Sequence, residues 1–265
     1  ESIMDKYCIF ILICLELLMF ISLSAEVTIP YLSEYLYSYP STIYKGATAP
    51  FNWTKDDYLK AGGLLLTGGI LYLEDEHLRD LYQRNRIESV DDIFTVFEVF
   101  GNAKYMFPAL GVMTLSGYCL KSDKTVETGL LSIKSAVLAQ GLTLSLKIIT
   151  QRPRPETEEG KEFWSTGSFS LHNDSFPSAH STLVWSLAPI FAEQYKENKW
   201  VPPLSYTIAI LTSCSRLNDD KHWSSDVFIG SIIGYFTAQL VLKDTPRLTF
   251  NFSPDLSGIG FCYEF

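Results

Sequence analysis

The sequence predicts an all-α helical bundle with a small β-hairpin at its C-terminal end, and three observations predict it. Apolar stretches of helical length follow one another from Leu59 to Lys243. Prolines and short polar runs divide them, as at Pro153 and Pro155, where a helix cannot continue. Only the tail from Leu248 shows the period of two that marks a strand with one covered face.

In chain order, Tyr7 to Ala25 reads YCIFILICLELLMFISLSA behind Lys6, with Ser22, Ser24 and Ala25 closing it. Residues 1–25 are therefore expected to be a secretory signal peptide, or a retained N-terminal anchor of similar length. Residues 26–58, rich in Tyr, Ser, Pro and Thr, read as an N-terminal arm of loops and short turns. Residues 59–245 form the expected helical domain. Its candidate helices are Leu59–Asp80, with glycine pairs that allow close packing, then 91–120, 126–150, Ser181–Tyr195, Pro203–Ser215 and Asp226–Lys243. A polar loop runs from Gln151 to Ser175. Residues 246–265 are the tail, where Phe250, Phe252, Phe261, Tyr263 and Phe265 alternate about a Pro254–Gly258 turn. Hydropathy does not separate soluble core helices from short embedded ones, and segment length favours a bundle at or in a membrane.

Composition narrows the function classes. With 21 basic and 30 acidic residues the formal net charge is −9, which excludes a broad nucleic-acid surface. An apolar content of 47% is ordinary and declares no membrane protein by itself. Beyond the leader, Cys119, Cys214 and Cys262 are widely spaced, so neither a disulfide framework nor a cysteine metal motif is expected.

Against this acidic background, three clusters carry chemistry. In the first, Lys147-Ile-Ile-Thr-Gln-Arg152-Pro153-Arg154-Pro155, the prolines hold a turn that brings a point charge and a planar fork of donors together, a pairing suited to phosphate. Alone, it reads equally as a basic helix end. In the second, Ser175-Phe176-Pro177-Ser178-Ala179-His180, Ser178 sits near an N-cap and His180 in the first turn of a helix whose start attracts anions. Alone, it reads as simple capping. In the third, Ser215-Arg216 to His222-Trp-Ser-Ser-Asp226, His222 and Asp226 lie four apart, so a carboxylate can fix one imidazole nitrogen and leave the other nucleophilic. A structural His–Asp pair has the same spacing.

Together the clusters K-x6-R-P, P-S-x-H and S-R-x5-H-x3-D, in this order over residues 147–226, resemble the signature of the type 2 phosphatidic acid phosphatase superfamily, with its acid phosphatases, lipid phosphate phosphatases and vanadium haloperoxidases. The resemblance implies that family's helical bundle and a metal-independent phosphatase acting through a phosphohistidine on a phosphomonoester or pyrophosphate. It implies His222 as nucleophile, Asp226 as its orienting carboxylate and His180 as acid and then base. Lys147, Arg154, Arg216, Ser178 and the N–H groups near Ala179 would hold the phosphate. Ala179 stands where the family usually has Gly, a change that keeps the backbone donor. Arg152 is expected at the mouth of the site or in solvent, and His172 and His77 on the surface. No metal or cofactor is expected. The substrate implied is a phosphorylated lipid or small phosphate ester, at the periplasmic side of a bacterial membrane. A haloperoxidase, a lipid phosphotransferase and a non-catalytic anion-binding envelope protein are the alternatives; the oligomeric state is left open.

Overall fold

The computed structural model describes residues 29–162, 164, 173–244, 248–252 and 259–263. The expected leader, His172 and the turn of the tail lie outside the described residues. Eight α-helices are described: α1 (Ile29–Thr48), α2 (Lys55–Arg84), α3 (Glu88–Gly101), α4 (Ala103–Cys119), α5 (Asp123–Thr150), α6 (Ala179–Gln194), α7 (Val201–Asn218) and α8 (Ser224–Asp244). Two strands, β1 (Leu248–Phe252) and β2 (Ile259–Tyr263), pair antiparallel with Leu248 opposite Tyr263.

The helical reading holds, with two corrections. Where loops were expected before residue 59, α1 runs through Pro40 and α2 starts at Lys55. Tertiary ties hold α1: the Tyr35 hydroxyl donates to the Leu130 carbonyl (2.8 Å), and buried Thr42 donates to Asp244 at the end of α8. The start of α2 is local: the Thr54 side chain accepts from the Asp57 N–H, and Asp57 accepts from the Thr54 N–H (2.9 Å), a reciprocal cap. The second correction is a break in the apolar run 91–120. α3 ends at Gly101, and the Asn102 side chain accepts from the Lys104 N–H (3.0 Å) to open α4.

At the centre lies α6. Leu183 and Leu187 pack with Phe107, Leu110 and Ala136 of α4 and α5. Ile190 packs with Leu131, Ala238 and Val241 of α5 and α8, and Val184 and Ala188 with Ala209 of α7. Each such Leu or Ile contributes about 1.5–3 kcal/mol by leaving water. Two glycines set how closely α8 approaches α6. A methyl group at Gly234 would lie 2.3 Å from the Thr182 carbonyl, and one at Gly230 2.6 Å from the Ser178 carbonyl. The start of α6 is thereby pressed against the first turns of α8, which brings the second and third sequence clusters together.

The outside is unusually apolar. Leu59, Leu65, Leu66, Ile70 and Leu73 on α2 are each more than half exposed, as are Val112 on α4 and Ile149 on α5. By length and composition, two segments could cross a membrane: α5 continued to Thr157, and α8.

Candidate active site

Four helix ends converge on the site. α5 stops at Thr150, with Gln151 in the left-handed region (φ 45°), and presents Lys147 from its last turn. α6 begins behind the N-cap Ser178 and presents His180. α7 brings Arg216 in its last turn, and α8 begins at Ser224, just after His222, with Asp226 in its first turn. The charges that act on the His222 ring include Lys147, Arg154, Arg216 and Asp174, and those acting on His180 include Arg216, His222, Arg154 and Lys147. The predicted side chains thus share one electrostatic neighbourhood.

His222 is buried and its Nδ1 lies 2.8 Å from the Ser175 carbonyl. A carbonyl only accepts, so Nδ1 carries the hydrogen and Nε2 keeps its lone pair. Spacing and the family resemblance both assigned that orienting task to Asp226, but the Asp226 carboxylate is 3.8 Å from Nδ1, beyond hydrogen-bond range. The reason is competition. Asp226 Oδ2 accepts from the Ser175 hydroxyl (2.5 Å) and the Trp223 N–H (3.0 Å), while Oδ1 accepts from Arg152 (2.6 Å).

Arg152 is the larger correction. Expected at the mouth or in solvent, its side chain is fully buried. Nη1 donates to Asp226 and to Ser225 Oγ (2.8 Å), and Nη2 donates to Asp75 (2.8 Å). Asp75 also accepts from the Ser225 N–H (2.9 Å) and hydroxyl (2.5 Å). The rings of Tyr72, Trp164 and Trp223 surround the guanidinium at 4.9–5.3 Å, which suits a cation removed from water. Asp75 lies on α2 amid the acidic run Glu74-Asp75-Glu76 and was missed, because nothing in that run marks the middle member as buried. Its spacing with Arg79 and Gln83 holds the one available signal. At i, i+4 and i+8 these share a helix face, and Arg79 pairs with Asp220 (2.6 Å) while Gln83 donates to the Leu217 carbonyl (3.0 Å).

The cations predicted to bind phosphate differ in their engagements. Arg154 pairs with Asp174 (2.8 and 3.1 Å), and Lys147 donates to the Asp174 carbonyl. Burial works to raise the Asp174 carboxyl, but Lys147 and Arg154 outweigh it and hold it at about 2. Arg216 is buried, and its Nε and Nη1 have no hydrogen-bond partner among the described residues, although Glu98 of α3 stands 3.0 Å from Nη1. The Nε2 of His180 is likewise unpartnered, 3.8 Å from Glu98. Neither Glu98 nor Asp174 was foreseen. Ser178 is placed as expected at the N-cap, but its N–H donates to the Asp226 carbonyl (3.0 Å) and its hydroxyl accepts from Ser181. It therefore shapes the start of α6, in whose first turn Ala179 and His180 lie. His77 is exposed, as expected.

Burial, followed by the surrounding cations, pushes both imidazoles well below the ordinary histidine range. Both shifts favour the neutral ring, and in His222 that leaves Nε2 with a free lone pair.

The chain is similar in part to known proteins. Residues 129–250 match the family model of the PAP2 superfamily. The lipid A 1-phosphatase of Porphyromonas gingivalis is 30% identical over 79 residues, covering 27% of this chain and 18% of that protein. The chain thus aligns with less than a fifth of that relative's length. Among solved structures, the first transmembrane PAP2 type phosphatidylglycerolphosphate phosphatase from Bacillus subtilis has a similar fold, with a TM-score of 0.50 and 20% identity over 68% of this chain and 93% of that one. Aquifex aeolicus LpxE matches with a TM-score of 0.48 and 24% identity, over 64% and 94%.

Proposed function

We propose that this chain, a PAP2-superfamily protein through residues 129–250, is a phosphatase that removes a phosphate group from a membrane lipid through a phosphohistidine. The observation that carries the reading is the His222 tautomer. The ring is buried, its Nδ1 hydrogen is spent on the Ser175 carbonyl, and its unprotonated Nε2 lies among cations that attract a phosphate.

In the proposed reaction, Nε2 of His222 attacks phosphorus in line with the leaving oxygen. The N–P bond forms as the P–O bond breaks, and protonated His180 gives its proton to the departing alcohol. His180 then takes a proton from water, whose oxygen attacks the phosphohistidine, releasing inorganic phosphate and restoring the imidazole. Arg216, Lys147 and Arg154 hold the equatorial oxygens, together with the first amides of α6. Arg154 and Lys147 are already partnered by Asp174, so the phosphate competes with that carboxylate for them. These three cations supply the charge that a divalent metal brings in other phosphoryl-transfer sites, and the reaction proceeds without one.

A lipid substrate is supported by the exposed leucines of α2 and by the two membrane-length segments. The relatives' names, lipid A 1-phosphatase and phosphatidylglycerolphosphate phosphatase, fit the same class. The proposed placement has the leader exporting the chain and the site opening on the periplasmic side. Residues 59–245 form the catalytic unit, residues 26–58 an arm against it, and 246–265 an appended tail.

The test is phosphate release from lipid and soluble phosphomonoesters and pyrophosphates, in mixed micelles, with and without EDTA. Release from a lipid substrate that persists in EDTA and disappears in His222→Ala, with label from ³²P-substrate trapped on wild-type protein, is expected. Turnover by a folded His222→Ala protein sinks the nucleophile; release abolished by EDTA and restored by a divalent ion sinks the metal-free step.

A further inference from the structure

We propose that Asp75 and Arg152 are positioning residues for the proposed phosphatase reaction, a buried anion–cation pair that fixes the charge and geometry behind the nucleophile His222. The proposal rests on the phosphatase reading above, but names two residues outside the set that the family resemblance implies for the site.

The geometry is continuous. From α2, Asp75 binds Arg152 and both the N–H and hydroxyl of Ser225, which lies in the first turn of α8. Arg152 binds Asp226, and Asp226 binds the Ser175 hydroxyl. The Ser175 carbonyl then holds Nδ1 of His222, while the Ser175 N–H donates to the Arg152 carbonyl (2.9 Å). Arg152 therefore grips Ser175 through its backbone and, by way of Asp226, through its side chain. Asp75, Arg152 and Asp226 are fully buried.

A solely structural ion pair could sit anywhere in the bundle, and burying it would be hard to justify energetically, because desolvation commonly cancels the attraction. Here the pair is built against the reacting group. Asp226 without Arg152 would be a bare anion beside the imidazole, drawing a proton onto Nε2 and removing the nucleophile. Arg152 without Asp75 would carry one carboxylate instead of two, and the loss of a negative charge would act on the same ring. Two carboxylates about one guanidinium leave the cluster one unit negative, with Ser225, Ser175 and the Trp223 N–H taking up the remaining acceptor positions.

The groups facing His222 from each packed element define what a pH experiment reads. Lys147 comes from α5, His180 from α6, Arg216 from α7 and Asp226 from α8, while Arg154 and Asp174 come from the loops between α5 and α6. Asp75 and Arg152 can be changed without touching a group assigned to phosphate or proton transfer.

The test compares wild type with Asp75→Asn, Arg152→Gln and the double variant. Two readouts are used: the pH dependence of kcat/KM, and the His222 imidazole titration followed by NMR on detergent-solubilised protein. Removing Arg152 leaves excess negative charge, so the His222 titration and the acidic limb should move up by about one pH unit. Removing Asp75 takes the cluster from one unit negative to neutral, so both should move down by a similar amount. In each, kcat should fall about 10- to 100-fold while KM changes less than about threefold.

The double variant should titrate between the singles, with kcat still reduced. Shifts in the same direction, no shift, or unchanged kcat in folded single variants overturn the proposal. If neither single variant folds, a folded double variant with wild-type kcat overturns it, and one with kcat reduced at least about tenfold at unchanged KM supports it. Because the titration needs no turnover, opposite shifts in a protein that releases no phosphate would keep the charge coupling and remove the phosphatase reading.

Discussion

The two walls of the site differ in how completely their polar groups are satisfied. Behind His222, Asp75, Arg152, Ser175, Ser225 and Asp226 bind one another through bonds of 2.5–2.9 Å. In front, Nε2 of His180 and Nε of Arg216 are buried without a hydrogen-bond partner among the described residues, and Nη1 of Arg216 has an ion pair with Glu98 (3.0 Å) but no aligned hydrogen bond. A buried donor left unmade costs about 1–3 kcal/mol, more for a charged group. The front wall therefore carries a standing cost that a bound anion would relieve. The back wall has nothing to offer a ligand. The contrast separates residues that hold the proposed nucleophile from residues placed to meet an anion.

The contrast can be broken in a defined order. The largest effect expected is at the front: Arg216→Gln should lower kcat/KM by about 10²–10³-fold, measured by phosphate release, with little change in thermal stability. Asp226→Ala at the back should instead cost about 3–5 kcal/mol of stability, since it leaves buried Arg152 with Asp75 as its one carboxylate and the Ser175 hydroxyl and Trp223 N–H without their acceptor. For a chain of this size that lowers Tm by about 10 °C, read by circular dichroism in detergent. If both substitutions lowered activity and stability alike, the distinction between the walls would fail.

A smaller effect tests how α3 shapes the front. A methyl group at Gly101 would lie 2.7 Å from Cβ of His180 and 2.8 Å from Thr212 Cγ2. Gly101→Ala should displace the imidazole and lower kcat about tenfold, with the change seen in kcat rather than in KM.

The smallest effect is a pH slope. His180 and His222 have pKa values below the ordinary 6.5, so below pH 6.5 the unfolded chain takes up protons that the folded chain refuses. Their contribution is therefore present above about pH 6.5 and is lost as pH falls toward the depressed folded-state values. Tm should decline on that side, and the decline should be shallower in His180→Asn. An unchanged slope in that variant would place the protonation elsewhere.

Much of the site was legible because its spacing is local. Lys147, Arg154, His180, Arg216 and His222 come from three short clusters, and the helix ends that present them follow from Pro153, Pro155 and the N-cap Ser178. What was not legible is long-range. Asp75 meets Arg152 across 77 positions and Ser225 across 150, and nothing in Glu74-Asp75-Glu76 says which carboxylate turns inward. Arg152 was misread for the same reason: an arginine in a polar loop is ordinarily solvated, and only partners from α2 and α8 make its burial affordable. The helix α1 was missed because its Tyr, Ser and Pro content describes a loop, whereas bonds to Leu130 and Asp244 decide its state.

The aromatic enclosure of Arg152 has an optical consequence. Trp223 is nearly fully buried, follows His222 directly in sequence, and donates its indole N–H to the Pro153 carbonyl (3.0 Å). Trp164 stands on the same guanidinium. An indole fixed beside a group that changes charge reports that change as a shift in emission intensity and colour. Under the proposed reaction, arrival of a phosphoryl group on the neighbouring His222 ring would be timed by light, without any added dye.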